Sequence, residues 1–227
     1  MTSNLLRSVP TLLLAAVPLL PLPASAAVAS HTEVRRDPVV FVHGWNSDGS
    51  TWQSMAKRFR ADGWPADHLD QWTYDTTRSN ATTAARLADE IDRVLNLTGA
   101  SRVDIVTHSM GALSSRYYLK NLGGSSKVDA WVSLGGPNHG TATAHWCGGA
   151  SCVEMRPGSD FLNNLNSGDE TPGSPRYATW GSPCDIVISP KNSVALSGAL
   201  NTTTACLGHS ELHADPTVYE QVRTHVR

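Results

Sequence analysis

The sequence predicts an α/β fold, a mostly parallel central sheet with helices on both faces, and three observations carry that prediction. Short runs rich in β-branched apolar residues recur at residues 38–42, 103–106 and 128–134, the pattern of strands buried on both faces. Each run leads into a turn containing glycine: His43-Gly44, His108-Ser109-Met110-Gly111 and Gly135-Gly136-Pro137. Between the runs lie longer stretches with helical spacing of apolar residues, and that alternation builds strand-helix-strand units.

The chain opens with one cation, Arg7, then an apolar run over residues 11–20 and the small-residue stretch Pro23-Ala24-Ser25-Ala26. This order reads as a secretory signal peptide, residues 1–26, and makes the product secreted and extracellular. Pro18 and Pro21 interrupt a run already well short of the roughly 20 apolar residues of a membrane-spanning helix. Residues 27–37 read as a flexible linker, and residues 38–227 as one catalytic domain of ordinary size. With 18 basic and 20 acidic side chains, net −2, and no cluster of either sign, the chain has no basic surface to recommend a nucleic-acid partner. No acidic cluster recommends a metal.

Along the domain, Ser50 is placed to cap a helix carrying Trp52, Met55, Ala56 and Phe59, and Gly63 and Pro65 end it. Residues 69–74 read as the next strand. Asn80 opens a helix with Leu87, Ile91, Val94 and Leu95 on one face, closed near Gly99. Residues 110–122 continue the 103–106 strand as a helix, ended by Gly123-Gly124. Residues 140–175 read as loop, apart from a short helical piece at 161–165 capped by Ser159 or Asp160. A strand follows at 177–180, and Asp215-Pro216 starts a last helix with Val218, Val222 and Val226 on one face.

Four cysteines, Cys147, Cys152, Cys184 and Cys206, in an exported chain read as disulfides, with three pairings open. The short separation of Cys147 and Cys152 favours a small loop and leaves Cys184 with Cys206. The spacing lacks the paired elements of a zinc site.

A serine hydroxyl needs a neighbouring base, a partner orienting that base, and donors for the developing oxyanion. Ser109 sits at a strand-to-helix junction, where a tight turn lifts its hydroxyl and Gly111 allows strand and helix to approach. Thr107 stands where the generic G-x-S-x-G pattern has glycine. His209, in the glycine-flanked loop Leu207-Gly208-His209, is the candidate base, and Asp185, after the 177–180 strand, the candidate acid. The order serine, acid, histidine is that of the α/β hydrolases. The N–H groups of Met110 and Trp45 are the candidate oxyanion donors. A Cys184–Cys206 bridge would tie the acid's loop to the base's loop. His213 is the main rival base but lies close to the last helix. His139 and His145 precede the acid, His225 sits on a helix, and His43 and His108 read as packing or hydrogen-bonding residues. Asp160 lacks a preceding strand, and Asp215 follows His209.

Together, VVFVHGW at 39–45, VDIVTHSMG at 103–111, SRYYLKNLG at 115–123, VDAWVSLGG at 128–136, Asp185-Ile186-Val187 and Gly208-His209 resemble the small secreted bacterial triacylglycerol lipases. The resemblance covers most of residues 38–227. It implies a compact α/β-hydrolase fold, hydrolysis of acylglycerol esters, no cofactor, and the site assignments above. It also implies a lipid or small ester substrate, transient contact with a lipid-water interface, and a monomer. Thr107 conforms to these relatives, in which the position two before the nucleophile is commonly not glycine. The departure is residues 140–175, longer than in the smallest members and compatible with a miniature cap rather than a large mobile lid. Short-chain carboxylesterase, cutinase-like polyester hydrolase and acyltransferase are alternatives within the fold, because specificity resides in pocket shape. A non-catalytic secreted binding protein on the same scaffold is the alternative of another class.

Overall fold

All four residues of β1 (Val39–Val42) are fully buried, because the strand lies inside a sheet with helices packed against each face. The computed structural model describes Met1 and residues 36–226. The expected signal peptide 1–26 and linker 27–37 lie outside the described residues apart from Met1, Arg36 and Asp37. Among the described residues, the other strands are β2 (Leu69–Trp72), β3 (Val103–His108), β4 (Val128–Leu134), β5 (Arg176–Gly181) and β6 (Leu200–Thr203). They form one sheet in the order β2-β1-β3-β4-β5-β6, with every pairing parallel.

The helices are α1 (Gln53–Ala61), α2 (Asn80–Thr98), α3 (Gly111–Asn121), α4 (Ala150–Glu154), α5 (Asp160–Leu165) and α6 (Pro216–His225). Successive residues of a strand point to opposite faces, and the core divides accordingly. Val40, Val42, Val103, Ile105 and Trp131 pack with Leu87 and Ile91 of α2 and Leu113 of α3. Val39, Phe41, Val106 and Val132 pack with Met55 and Phe59 of α1 and Val218 and Val222 of α6. The expected α/β architecture is the observed one, with a sheet that is parallel throughout.

Local chemistry sets the element boundaries. Asp48, not Ser50, supplies the first cap, accepting from Ser50 N at 2.7 Å and starting a 3-10 turn over Gly49–Trp52 that leads into α1. Ser79 caps α2 by accepting from Thr82 N, and Gly99 closes the helix at φ 65°. Ser159 caps α5, as expected, and Asp215 caps α6 through the N–H groups of Thr217 and Val218. Strand β2 ends at Trp72 rather than at residue 74, because Tyr74 turns inward to stack on His43, ring centroids 4.2 Å apart. Two elements have no counterpart in the sequence reading. Helix α4 is too short for a periodic signal, and β6 is an edge strand whose Leu200, Asn201 and Thr203 are exposed, so no apolar alternation marks it.

Where β3 meets α3 the backbone turns through a residue at positive φ. Ser109 has φ 53°, one of two described non-glycine residues with positive φ, and its N–H donates to the Leu134 carbonyl at 3.0 Å. The turn fits because two neighbours lack side chains. A Cβ on Gly111 would lie 2.5 Å from the Val42 carbonyl oxygen and 2.7 Å from that of His43, and one on Gly44 would lie 2.9 Å from Ser109 Cβ. Backbone atoms cannot yield as flexible side chains do. Gly111→Ala is therefore expected to cost about 1–3 kcal/mol, as overpacking of a tight site does, read as a lower denaturation midpoint. An unchanged midpoint would show that the contact between strand and helix is looser than these distances require.

Candidate active site

Ser109, Trp45, His209 and His108 line one cleft of about 460 Å³ at the C-terminal edge of the sheet, where ligands of open parallel sheets bind. They arrive on three segments: Trp45 on the loop after β1, His108 and Ser109 at the end of β3 and the turn after it, and His209 on a 3-10 turn following β6. Asp185, on the loop after β5, is buried behind the histidine, 1% exposed.

His209 Nδ1 lies 2.7 Å from Asp185 Oδ2. The other carboxylate oxygen accepts N–H groups from Val187 at 2.8 Å and Ile188 at 3.2 Å. Burial opposes the charge on Asp185, but the His209 hydrogen bond and charge, with the two amides, outweigh it and hold the carboxyl below its ordinary range. The carboxylate therefore stays ionised, and the His209 proton on Nδ1 points at it. The opposite nitrogen, Nε2, is buried and has no hydrogen-bond partner among the described residues.

Space around this pair is tight. Gly135, at φ 59°, allows the approach: a Cβ there would sit 3.2 Å from both Asp185 Oδ2 and His209 Cε1. The loops carrying acid and base are joined twice. Cys184 and Cys206 stand at disulfide distance, Cα atoms 5.0 Å apart, and Ser182 Oγ accepts from Leu207 N at 2.9 Å while donating to the Leu207 carbonyl at 2.6 Å. Cys147 and Cys152 form the other pair, Cα atoms 5.8 Å apart, as the sequence favoured.

The remaining histidines separate cleanly. His43 Nδ1 donates to the Gly44 carbonyl at 2.9 Å, and its carbonyl accepts the Tyr74 hydroxyl at 2.6 Å, which fixes the loop leading to Trp45. His108 Nε2 donates to the His209 carbonyl at 3.0 Å. His213 does line the cleft, contrary to its expected separation from it, with its ring edge-on to His108 at 4.9 Å. His139 instead pairs with Glu170 at 2.7 Å, His145 is exposed, and His225 bonds the Arg176 carbonyl. Asp160 and Asp215 are helix-start residues. The Trp45 and Met110 N–H groups have no protein acceptor among the described residues.

Residues 137–156 form a fixed wall of the cleft. Thr141 and Thr143 both donate to the Val187 carbonyl, at 2.6 and 2.7 Å, and Ser189 N donates back to Thr141 Oγ1. On the other side Ser151 Oγ donates to the Thr76 carbonyl, and Glu154 accepts both Asn80 N and Asn80 Nδ2. Further back, the buried Arg116 guanidinium donates to the Asn138 and Glu170 carbonyls and to Asn166 Oδ1. Sequence reading missed these ties because single hydroxyls and one glutamate in a polar stretch carry no periodic signal.

The fold and this cleft are those of an α/β hydrolase. The chain belongs to the class 2 lipases, whose family model, Lipase (class 2), matches residues 36–211, and it is a carboxylic ester hydrolase. Its fold is similar to that of the Bacillus licheniformis lipase BlEst2 in mature form, at TM-score 0.73 and 18% identity, covering 87% of this chain and 95% of that one. Aspergillus fumigatus lipase B matches at TM-score 0.67 and 16% identity, over 81% of this chain and 51% of that one. The lin2722 product of Listeria innocua matches at TM-score 0.66 and 12% identity, over 84% and 94%.

Burial lowers the pKa of His43, His108 and His213, most strongly for His108. Each therefore holds a proton less readily in the folded protein than its unfolded counterpart, which protonates below about 6.5. The unfolded chain then binds more protons, so folding stability is complete above that pH and falls as pH drops. Resistance to urea is expected to fall between pH 7 and 5, and His108→Gln to flatten that slope; an identical slope in the variant would contradict the lowered His108 pKa.

Proposed function

We propose that this lipase hydrolyses acylglycerol esters through an acyl-enzyme, with Ser109 as nucleophile, His209 as base and Asp185 as its orienting acid. The observation that carries the reading is the 2.7 Å His209–Asp185 bond in the same cleft as a serine held at φ 53°. His209 Nε2 accepts the Ser109 proton while Oγ bonds the ester carbonyl carbon. The N–H groups of Trp45 and Met110 hold the oxyanion. Collapse breaks the bond to the alkoxide, which takes the proton from His209, and water then repeats the sequence to release the acid and free the serine.

Polarity across the cleft supports an ester of a fatty acid with a polyol. Sheet order puts the loops after β1 and after β4 and β5 on opposite sides of Ser109. The first supplies Trp45, Asn46, Ser47 and Thr51; the second supplies Thr141, Thr143, Ala144, Trp146, Cys147, Met155, Val187 and Ile188, with both threonine hydroxyls turned onto the Val187 carbonyl. The apolar side suits an acyl chain and the hydroxyl-bearing side a glycerol moiety. Trp146, 92% exposed, lines the cleft, and Ile186, 84% exposed, immediately precedes the lining residues Val187 and Ile188. Exposed apolar side chains grouped beside a substrate cleft favour contact with a lipid-water interface. The pinned 137–156 wall implies that dissolved esters enter without any lid opening. Export through residues 1–26 as a signal peptide is supported by two cysteine pairs at disulfide distance, since such bonds persist in oxidising compartments.

Ser109→Ala is expected to stay folded and to lose at least about 10³-fold in turnover of a p-nitrophenyl ester, the scale of removing a triad member; substantial residual turnover sinks the assignment. An acyl-chain-length profile on soluble and emulsified esters separates lipase from short-chain carboxylesterase. In that comparison Trp146→Ser combined with Ile186→Ser is expected to lower activity on emulsions severalfold and leave soluble esters within about twofold, as for the loss of an apolar contact. Equal losses on both would remove the interfacial role.

A further inference from the structure

Two residues beside the proposed triad are histidines, and one of them connects the nucleophile's backbone to that of the base. His108 immediately precedes Ser109, is 7% exposed, and reaches the carbonyl of His209 through Nε2 at 3.0 Å. A carbonyl only accepts, so Nε2 carries the proton. The two rings also touch, centroids 4.6 Å apart at 45°.

The other ties on the base's loop fall on its neighbours. Leu207 is held by Ser182, Gly208 N donates to Glu211 Oε2, Glu211 N donates to the Gly208 carbonyl, and Cys206 pairs with Cys184. Asp185 is the one hydrogen-bond partner of the imidazole among the described residues, at Nδ1, so where the ring stands depends also on where its main chain is held. A bond to the His209 carbonyl fixes the point from which the side chain departs, and the Asp185 bond and the adjacent His108 ring then limit where the imidazole stands.

We propose that His108 is a positioning residue for catalysis, setting where the His209 ring stands relative to Ser109 through its hydrogen bond to the His209 carbonyl. The inference rests on Ser109 and His209 being nucleophile and base. Because His108 and Ser109 are adjacent in the chain, one covalent step and one hydrogen bond fix the distance between nucleophile and base. This brace is independent of Asp185. Positioning of this kind acts on the chemical step, since small displacements of a base cost large factors in rate while leaving substrate binding intact.

The test compares His108→Leu, which fills the space without a donor, with His108→Gln, whose side-chain amide restores an N–H at the same reach. Leucine is expected to lower kcat roughly 10- to 100-fold with KM changed less than about threefold, the signature of an interaction used in the transition state. Glutamine is expected to recover most of that loss. Thermal denaturation of both variants accompanies the kinetics. If leucine leaves kcat within about twofold of the parent, or if glutamine falls as far as leucine, His108 only packs and the proposal is overturned. An active Ser109→Ala variant would instead defeat the nucleophile assignment, so the two failures are distinguishable.

Discussion

Everything in the cleft depends on the backbone turn at Ser109. A non-glycine residue held at positive φ stores about 1–3 kcal/mol of strain, tolerated only where the surroundings over-determine it. Here the strand before it is paired on both sides, its own N–H is bound to Leu134, and glycines at 44 and 111 let two backbones close over it. The turn lifts the serine side chain off the strand line and leaves the Met110 N–H, at the start of α3, without a protein acceptor among the described residues. The same constraint fixes the surrounding loops, because the Trp45 loop must pass within van der Waals distance of the turn.

How far this was legible in the sequence depends on whether a signal is periodic or pairwise. Strands β1, β3 and β4 and helices α1 to α3 repeat apolar residues at fixed intervals, so their position and the α/β class could be read directly. Ser109, Asp185 and His209 were legible as an order, which a fold of this connectivity constrains. The outcome differed where one contact decides. Tyr74 leaves β2 because His43 offers a stacking face, and β6 forms from residues with no buried side because an edge needs only backbone partners. His213 was set aside on its nearness to α6, yet the turn over His209–Glu211 folds it back toward the cleft.

The wall formed by residues 137–156 illustrates how polar residues make a rigid feature without a core of their own. Threonine hydroxyls at 141 and 143 converge on one carbonyl of the acid-bearing loop, while Glu154 satisfies the first N–H of α2. Each bond contributes about 0.5–1.5 kcal/mol net, and their value lies in direction. They join the loop after β4 to the loop after β5 on one side and to the start of α2 on the other. The wall is thereby tied at both ends to elements that carry the rest of the cleft.

A site with three imidazoles and one carboxylate works only if two of the three stay neutral. At an effective dielectric near 20, two unit charges 4.6 Å apart repel by about 3–4 kcal/mol, enough to resist proton transfer to His209 if His108 were already a cation. Burial opposes that cation, since His108, at the end of β3, is 7% exposed and packed against the His209 ring, where an added charge is poorly solvated. His213, against Trp52 and His108, is held down by the same cause to a smaller degree. In the proposed mechanism the single carboxylate is then directed at the one imidazole that takes up charge, His209. Removing solvent from the two bystanders is what lets histidines crowd the base without competing with it for its proton.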